Sequence, residues 1–215
     1  MSSTPAREAF TTEEWKVVGS HRTPRRVQRF LTSMRYNRER EGPTLRTFRG
    51  VIREGEAHCL EAALTATTIL EQWGYPPLLM SLESQDRLDH VLSIFQSDGL
   101  WGAVARSRDL ALHGRKPVFR NLRQLAWSYF DPYVNDAGRI TGYGVADLRA
   151  LGSYDWRFST KNVWKVERFL NEIPHHKLVS SDKRYEKMLA RYTEFKSLYP
   201  HEHFTDYANR HQWMI

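Results

Sequence analysis

Cysteine and long apolar runs are what this sequence has least of. One cysteine, Cys59, stands among 215 residues, which excludes an internal disulfide and a zinc site built on several thiolates. No run approaches the roughly 18 to 20 uninterrupted apolar residues that a membrane-spanning helix needs. The first residues also lack the basic-then-apolar order of a secretory signal. We therefore expect a cytoplasmic protein with no membrane partner.

Aromatic residues are abundant by contrast. Seven Trp, ten Tyr and ten Phe supply large pieces of a core or of a pocket wall. The fractions of apolar residues (40%) and charged residues (27%) are typical of a compact globular protein. The sequence shows no internal repeat and no linker long enough to divide it. It thus favours a folded chain over a disordered or fibrous one.

Positive charge is concentrated near the N-terminus. The formal net charge is +7, and residues 1–53 account for all of it, with twelve Lys or Arg against five Asp or Glu. Residues 54–215 hold twenty residues of each sign. This distribution predicts a basic, partly helical N-terminal arm (1–53) attached to a neutral domain (54–215).

Two uses of this basic arm are open. A helix that begins at Thr23-Pro24 would bury Val27 and Leu31 and leave its arginines in solvent, which is an ordinary surface role. The same arginines also suit phosphates or an acidic partner. Because no helix-turn-helix, zinc-finger or RNA-binding signature accompanies them, nucleic-acid binding rests on charge alone.

Helical and extended patterns alternate along the rest of the chain. Apolar spacing predicts a helix from Cys59 to Trp73 that stops at Gly74. Asp98-Gly99 between two apolar runs predicts a β-hairpin. We also predict a strand over 78–82, a surface segment over 44–55, a helix over 117–127, extended segments over 128–134 and 140–148, and helices over 161–173 and 181–198. These elements define a single α+β domain.

One segment carries groups that suggest chemistry. Cys59 opens a predicted helix, where the helix dipole and the first backbone N–H groups stabilise a thiolate or a developing oxyanion. His90 begins a strand further on, and an imidazole brought beside the thiol can hold and deliver a proton. These are the parts of a thiol site for acyl transfer.

The order of residues around Cys59 matches a known pattern. Gly55 stands shortly before Cys59, the helix ends near Gly74, a strand follows, and His90 begins the next strand. Over about residues 50–110 this order resembles the transglutaminase-like superfamily, a branch of the papain-like thiol enzymes. The resemblance implies a papain/transglutaminase-like core, in which the helix that opens at the cysteine packs on an antiparallel sheet. It also implies that Cys59 is the nucleophile and His90 the general base.

The third member of the site follows from the hairpin geometry. With Asp98-Gly99 as a two-residue turn, paired positions sum to 197, so His90 faces Ser107. Asp109 lies two residues further on the same face, at a diagonal distance that a carboxylate can span. Because a carboxylate stabilises an imidazolium, we expect Asp109 to orient His90, with Ser107 as the alternative.

The sequence therefore predicts a thiol enzyme with a Cys59-His90-Asp109 triad that acts on an amide or related acyl group of a peptide or protein, without a cofactor. Hydrolysis and acyl transfer both remain open. A metal site lacks recognisable ligand spacing among its candidates, which are His58, Cys59, His90, His175, His176, His201 and His203. Two alternatives stand beside the enzyme: an inactive copy of the fold that binds a partner, and nucleic-acid or acidic-partner binding through the basic arm.

Overall fold

The computed structural model describes residues 4–85, 90–135, 138–205 and 207–215 and shows an α+β fold. No helix within these ranges is long and apolar enough to cross a membrane. The α-helices are α1 (Thr12–Ser20), α2 (Pro24–Ser33), α3 (Phe48–Glu54), α4 (Cys59–Glu71), α5 (Leu122–Trp127), α6 (Phe130–Tyr133), α7 (Trp164–Glu172), α8 (Asp182–Leu198) and α9 (Arg210–Trp213). The strands are β1 (Arg35–Tyr36), β2 (Glu56–Ala57), β3 (Leu78–Ser84), β4 (His90–Ser97), β5 (Leu100–Val104), β6 (Arg115–Phe119), β7 (Ile140–Asp147) and β8 (His176–Lys177).

Six of these strands form one antiparallel sheet in the order β6-β5-β4-β3-β7-β8. Its two central strands, β4 and β3, are joined along five residue pairs, from Leu78 opposite Ile94 to Leu82 opposite His90. The short strands β1 and β2 form a separate parallel pair. The sheet therefore places His90 at the end of a central strand.

Helix α4 is the buried centre of the fold. Every residue from Leu60 to Glu71 is buried, and a hydrogen bond of 2.9 Å joins the hydroxyls of Thr67 on α4 and Ser93 on β4. Gly74 follows the helix with a φ of 87°, a conformation that favours glycine and ends the helix. The predicted helix is confirmed.

The predicted hairpin is also confirmed. Asp98 and Gly99 have positive φ values of 50° and 77°, as a type I′ turn requires. The strands pair in the predicted register as far as Ser93 opposite Val104. Because β5 ends at Val104, the described chain leaves the sheet before Ser107, and the predicted pairing of Ser107 with His90 is not formed.

The helices of the basic N-terminal region share a core with α4. Val27 and Leu31 of α2, together with Phe48 and Val51 of α3, are fully buried in one apolar cluster that includes Ile69 of α4. The core therefore continues across residue 53, the predicted boundary of the arm.

Two segments differ in type from their prediction. Residues 130–133 form helix α6 in a segment with an extended pattern, because Tyr129 and Phe130 are fully buried and this packing overrides the strand preference of aromatic residues. Residues 115–119 form strand β6 where a helix is predicted to begin. β6 lies at the sheet edge, where the missing N–H of Pro117 costs no ladder hydrogen bond.

The segment over 44–55 contains a helix that the sequence pattern does not reveal. Thr47 caps α3 by accepting a hydrogen bond of 3.3 Å from the N–H of Gly50. Gly55 ends the helix with a φ of 69°. The prediction of a surface segment is therefore wrong here.

The predicted elements over 140–148, 161–173 and 181–198 are confirmed as β7, α7 and α8.

Burial predicts how much α2 contributes to stability. Leu31 is 0% exposed, so we expect Leu31→Ala to lower the free energy of unfolding by about 2–5 kcal/mol through lost contacts and a residual cavity. Arg29→Ala on the exposed face of the same helix should change it by no more than about 0.5 kcal/mol. Urea unfolding of both variants measures the difference, and equal small effects would show that α2 does not belong to the core.

Candidate active site

Cys59 is the first residue of α4, directly after the helix cap His58. Cys59 is partly exposed as a residue and lines a cleft of about 540 Å³. The positive end of the helix dipole favours a thiolate at this position. Residues that line the cleft include Tyr36, Glu39, His58, Cys59, His90, Ser107, Arg108, Asp109, Leu112 and Glu167. The fold thus brings Cys59, His90, Asp109 and Ser107 to one cleft.

Two histidines form hydrogen bonds with the sulfur of Cys59. One is His90, as predicted, and the other is His58, its neighbour in the chain. Burial alone would raise the pKa of the thiol, but these hydrogen bonds and the positive charges of both rings lower it to about 5. A thiol with this pKa is ionised at neutral pH and is therefore an active nucleophile.

The ring of His90 has a fixed orientation. Its Nε2 lies 2.9 Å from the backbone carbonyl oxygen of Leu112, and the side chain is only 3% exposed. Because a carbonyl can only accept, Nε2 carries a hydrogen, which leaves Nδ1 as the basic nitrogen in the neutral ring. His90 is thus set up to take the thiol proton through Nδ1.

Asp109 lies in the cleft but forms a different bond from the predicted one. Its carboxylate accepts a hydrogen bond of 2.9 Å from the N–H of Ala111 and caps the short 3₁₀ helix Leu110–Leu112. Burial raises the pKa of this carboxyl, while the bond from Ala111 and nearby positive charges, including that of His90, oppose the rise. Ser107 accepts a hydrogen bond of 3.2 Å from the N–H of Asp109. The carbonyl of Leu112 therefore accepts the Nε2–H of His90 and has the orienting role that the sequence predicts for Asp109.

His58 is held from several sides. Its Nε2 lies 2.9 Å from the carbonyl oxygen of Thr44, and its Nδ1 lies 3.2 Å from the N–H of Leu60. Burial opposes a charge on this ring, yet the hydrogen bond and negative charge of Cys59, together with the carboxylate of Glu61, raise its pKa to about 9. Protonation of this ring therefore places a cation beside the thiolate, in exchange for the bond that Nδ1 accepts from the N–H of Leu60.

Glu61 anchors the start of α4. Its carboxylate is 0% exposed and accepts four hydrogen bonds of 2.8–3.0 Å, from the side chains of Asn37 and Thr44 and from the backbone N–H groups of Arg46 and His58. Burial would raise its pKa, but the charge of His58 and these bonds hold the pKa below its usual range. Three segments of the chain are thus tied together beside the sulfur.

Tyr36 forms part of the wall next to the sulfur. It pairs with Ala57 across the β1–β2 bridge, and the guanidinium of Arg106 lies 5.6 Å from its ring centre. Burial and the negative charge of Cys59 raise the pKa of the phenol to about 12, so the hydroxyl stays protonated. Among the described residues none forms a hydrogen bond with this hydroxyl. It is therefore a donor that a bound substrate can use.

Two further sequence predictions concern a metal site and the basic arm. The described residues contain no group of three or more His, Cys, Asp or Glu that could hold a metal ion. On α2, the side chains of Arg25, Arg26 and Arg29 are exposed, and within the described ranges they make no ion pair. Their use by an acidic partner or a nucleic acid stays a prediction.

Four groups of the site escape sequence reasoning. The sequence suggests His58 only as a possible metal ligand, although a histidine directly before a helix-opening cysteine is in a position to cap the helix. Glu61 follows His58 by three residues. This is the spacing of a capping box, a local signal that indicates the role of Glu61. Tyr36 and the carbonyl of Leu112 give no local signal, since only tertiary folding brings them to the cleft.

No protein-family model matches this chain, and no curated protein matches its sequence. The resemblance to the transglutaminase-like superfamily therefore stays a prediction that rests on the residues around Cys59. The thiol, its two histidines and the open cleft support a nucleophilic site on geometric grounds alone.

The thiol pKa sets a measurable pH dependence. Alkylation by iodoacetamide should rise through about pH 5, where Cys59 ionises, and level off well below the usual thiol pKa of about 8.5. His90→Gln should raise the apparent pKa and slow alkylation at pH 6 by about tenfold, because the thiolate loses one cationic partner. Since the sequence has one cysteine, intact-mass spectrometry follows this reaction directly.

The exposed His211 provides the matched control. His211→Gln should alkylate at the wild-type rate throughout the pH range. Wild-type alkylation that begins only above pH 8 would show that Cys59 is an ordinary thiol.

Proposed function

We propose that this protein is a cysteine-dependent enzyme of transglutaminase-like type, which transfers an acyl group from an amide or related donor. The observation that carries the proposal is the sulfur of Cys59, hydrogen-bonded to His58 and His90 at the mouth of an open cleft. A structural cysteine needs neither the cleft nor two imidazoles. The chemistry moves only an acyl group and protons, so it calls on no cofactor.

The first half of the reaction forms a thioester. The thiolate of Cys59 attacks the carbonyl carbon of the donor, and the electron pair of the C=O bond moves to oxygen. Collapse of this intermediate breaks the bond to the leaving amine, which takes a proton from the imidazolium of His90. His90 is then neutral, with Nδ1 free to act as a base.

The second half regenerates the thiol. Nδ1 of His90 removes a proton from water or from an amine as that acceptor attacks the thioester carbonyl. Collapse of the second intermediate expels the thiolate of Cys59 and leaves His90 protonated, as at the start. Water as the acceptor makes the enzyme a peptidase or amidase, and an amine makes it a transferase.

The negative oxygen of each intermediate needs hydrogen-bond donors. The backbone N–H of Cys59, the first of α4, is one such donor, and the Tyr36 hydroxyl lies in the same cleft with its proton in place. A neutral phenol that donates to an oxyanion becomes more strongly bonded as charge develops. Tyr36 therefore takes the role of an oxyanion donor in this proposal.

The role of Tyr36 is separable from the reactivity of the thiol. Alkylation by iodoacetamide is a displacement at a CH₂ carbon and forms no oxyanion, whereas acylation by p-nitrophenyl acetate does. Tyr36→Phe should therefore slow acylation of Cys59 by about 100-fold and change alkylation by less than about twofold. Release of p-nitrophenolate and intact mass measure the two rates.

Tyr75→Phe is the control for this experiment, because Tyr75 lies outside the lining of the cleft and should leave both rates unchanged. Equal losses in acylation and alkylation on Tyr36→Phe would contradict the oxyanion role. Rapid alkylation without any acylation in the wild-type protein would favour the non-catalytic binding module.

Asp109 acts in this proposal through its charge and its cap. Asp109→Asn keeps an acceptor for the N–H of Ala111, since asparagine is an equally good capping residue, and removes only the charge. Because the ring of His90 stays bonded to Leu112, we expect alkylation at pH 6 to fall by less than about threefold, far less than on His90→Gln. A loss as large as that of His90→Gln would restore Asp109 as the direct partner of His90.

A further inference from the structure

Arg115 is a fully buried arginine behind the active site. It belongs to β6 and is 0% exposed. Its guanidinium lies 3.8 Å from the ring centre of Tyr129 and 4.5 Å from that of Trp213. Burial lowers its pKa to about 10, so the side chain remains cationic at neutral pH.

The bonds of this guanidinium go to oxygens that carry no full charge. It donates to the carbonyls of Ala111 (2.9 Å) and His113 (2.7 Å) and to the backbone and side-chain oxygens of Ser128 (both 3.1 Å). In the described part of the chain no carboxylate is paired with it. A buried cation without a counter-ion costs stability, so this arginine calls for a role besides packing.

The two carbonyls that Arg115 binds in the 3₁₀ segment flank the active-site carbonyl. Ala111 and His113 stand on either side of Leu112, whose oxygen accepts the Nε2–H of His90. Tyr129 adds a second restraint, because its hydroxyl donates to the carbonyl of His113 at 3.1 Å and its ring lies 5.9 Å from that of His90. The orientation of the Leu112 carbonyl is thus fixed from both sides.

We infer that Arg115 is a positioning residue for His90: by holding the carbonyls of Ala111 and His113 it aims the Leu112 carbonyl at Nε2 and so keeps Nδ1 directed at Cys59. The inference rests on the proposed function, because it concerns the same thiol. The titratable groups that face His90 are Cys59 and Asp109 in the cleft and Tyr129 and His113 behind it.

The test is the pH profile of iodoacetamide alkylation in Arg115→Met. Methionine fills a similar apolar volume but bonds neither carbonyl. We expect alkylation at pH 6 to fall by about tenfold, because a misdirected ring stabilises the thiolate less. At pH 9.5, where the thiol is ionised in either protein, the rate should change by less than about twofold. A merely structural role would not produce this split.

Arg157→Met is the matched control. Arg157 is also buried, at 5% exposed, and it pairs with Glu71 at 2.8 Å. Glu71 ends α4, about 18 Å along the helix from Cys59. This variant loses a buried arginine and its ion pair, yet its alkylation profile should match that of the wild type. A loss of alkylation at pH 6 but not at pH 9.5 in Arg157→Met as well would show that a general loss of rigidity causes the effect, and would overturn the inference.

Two further variants keep the inference falsifiable. Arg115→Lys retains the charge but cannot bond both carbonyls as a planar fork, so a wild-type profile in this variant would overturn the positioning role. If Arg115→Met does not fold, as judged by circular dichroism, Tyr129→Phe removes the bond to His113 alone. It should shift the profile in the same direction by a smaller amount, and an unchanged profile would overturn the inference.

The wild-type profile separates the two proposals. If wild-type Cys59 fails to react at pH 6, the proposed function falls. If it reacts and Arg115→Met reacts equally well at pH 6, only the positioning role of Arg115 falls.

Discussion

The buried carboxylate of Glu61 is the interaction on which the rest of the site depends. Its four hydrogen bonds join the first turn of α4 to the segment that carries Asn37, Thr44 and Arg46. Asn37 follows Tyr36, so the same carboxylate that fixes the helix start also fixes the part of the cleft wall that carries Tyr36. Removing it would leave several buried donors without an acceptor, which costs far more than one hydrogen bond gains.

The two histidines around Cys59 differ in how they are held. His58 is the neighbour of the cysteine in the chain and is held by the carbonyl of Thr44, whereas His90 depends on the sheet and the Leu112 carbonyl. The lowered pKa of Cys59 stabilises the folded protein. This stabilisation is complete above the pKa of the thiol in the unfolded chain, near 8.5, and is lost as the pH falls through about 5. The raised pKa of His58 also stabilises the folded protein. This stabilisation is complete below the pKa of the imidazole in the unfolded chain, about 6.5, and is lost as the pH rises through about 9. The ion pair therefore exists between about pH 5 and pH 9.

Local signals in the sequence predict much of the fold but only part of the site. The Asp98-Gly99 turn and the periodicity of α4 are local, and both are seen in the structure. The predicted pairing of His90 with Ser107 fails because the alternation of residues along a strand does not reveal where β5 ends. Tyr36 and Arg115 reach the site through long-range packing, which no window of sequence describes. The sequence therefore indicates the reactive thiol of the candidate site and its first histidine, while the groups that orient them depend on the folded chain.

The low pKa of Cys59 has a consequence for its oxidation. A thiolate is the form of cysteine that peroxides attack, Cys59 lines a cleft that small molecules can enter, and the first product is a sulfenic acid. Many thiol proteins trap this product as a disulfide with a second cysteine, but this sequence holds only one. Recovery of oxidised Cys59 would therefore require a thiol from outside the chain, such as a small-molecule reductant that enters the cleft. The reduced state of this site is thus coupled to the supply of thiols around it.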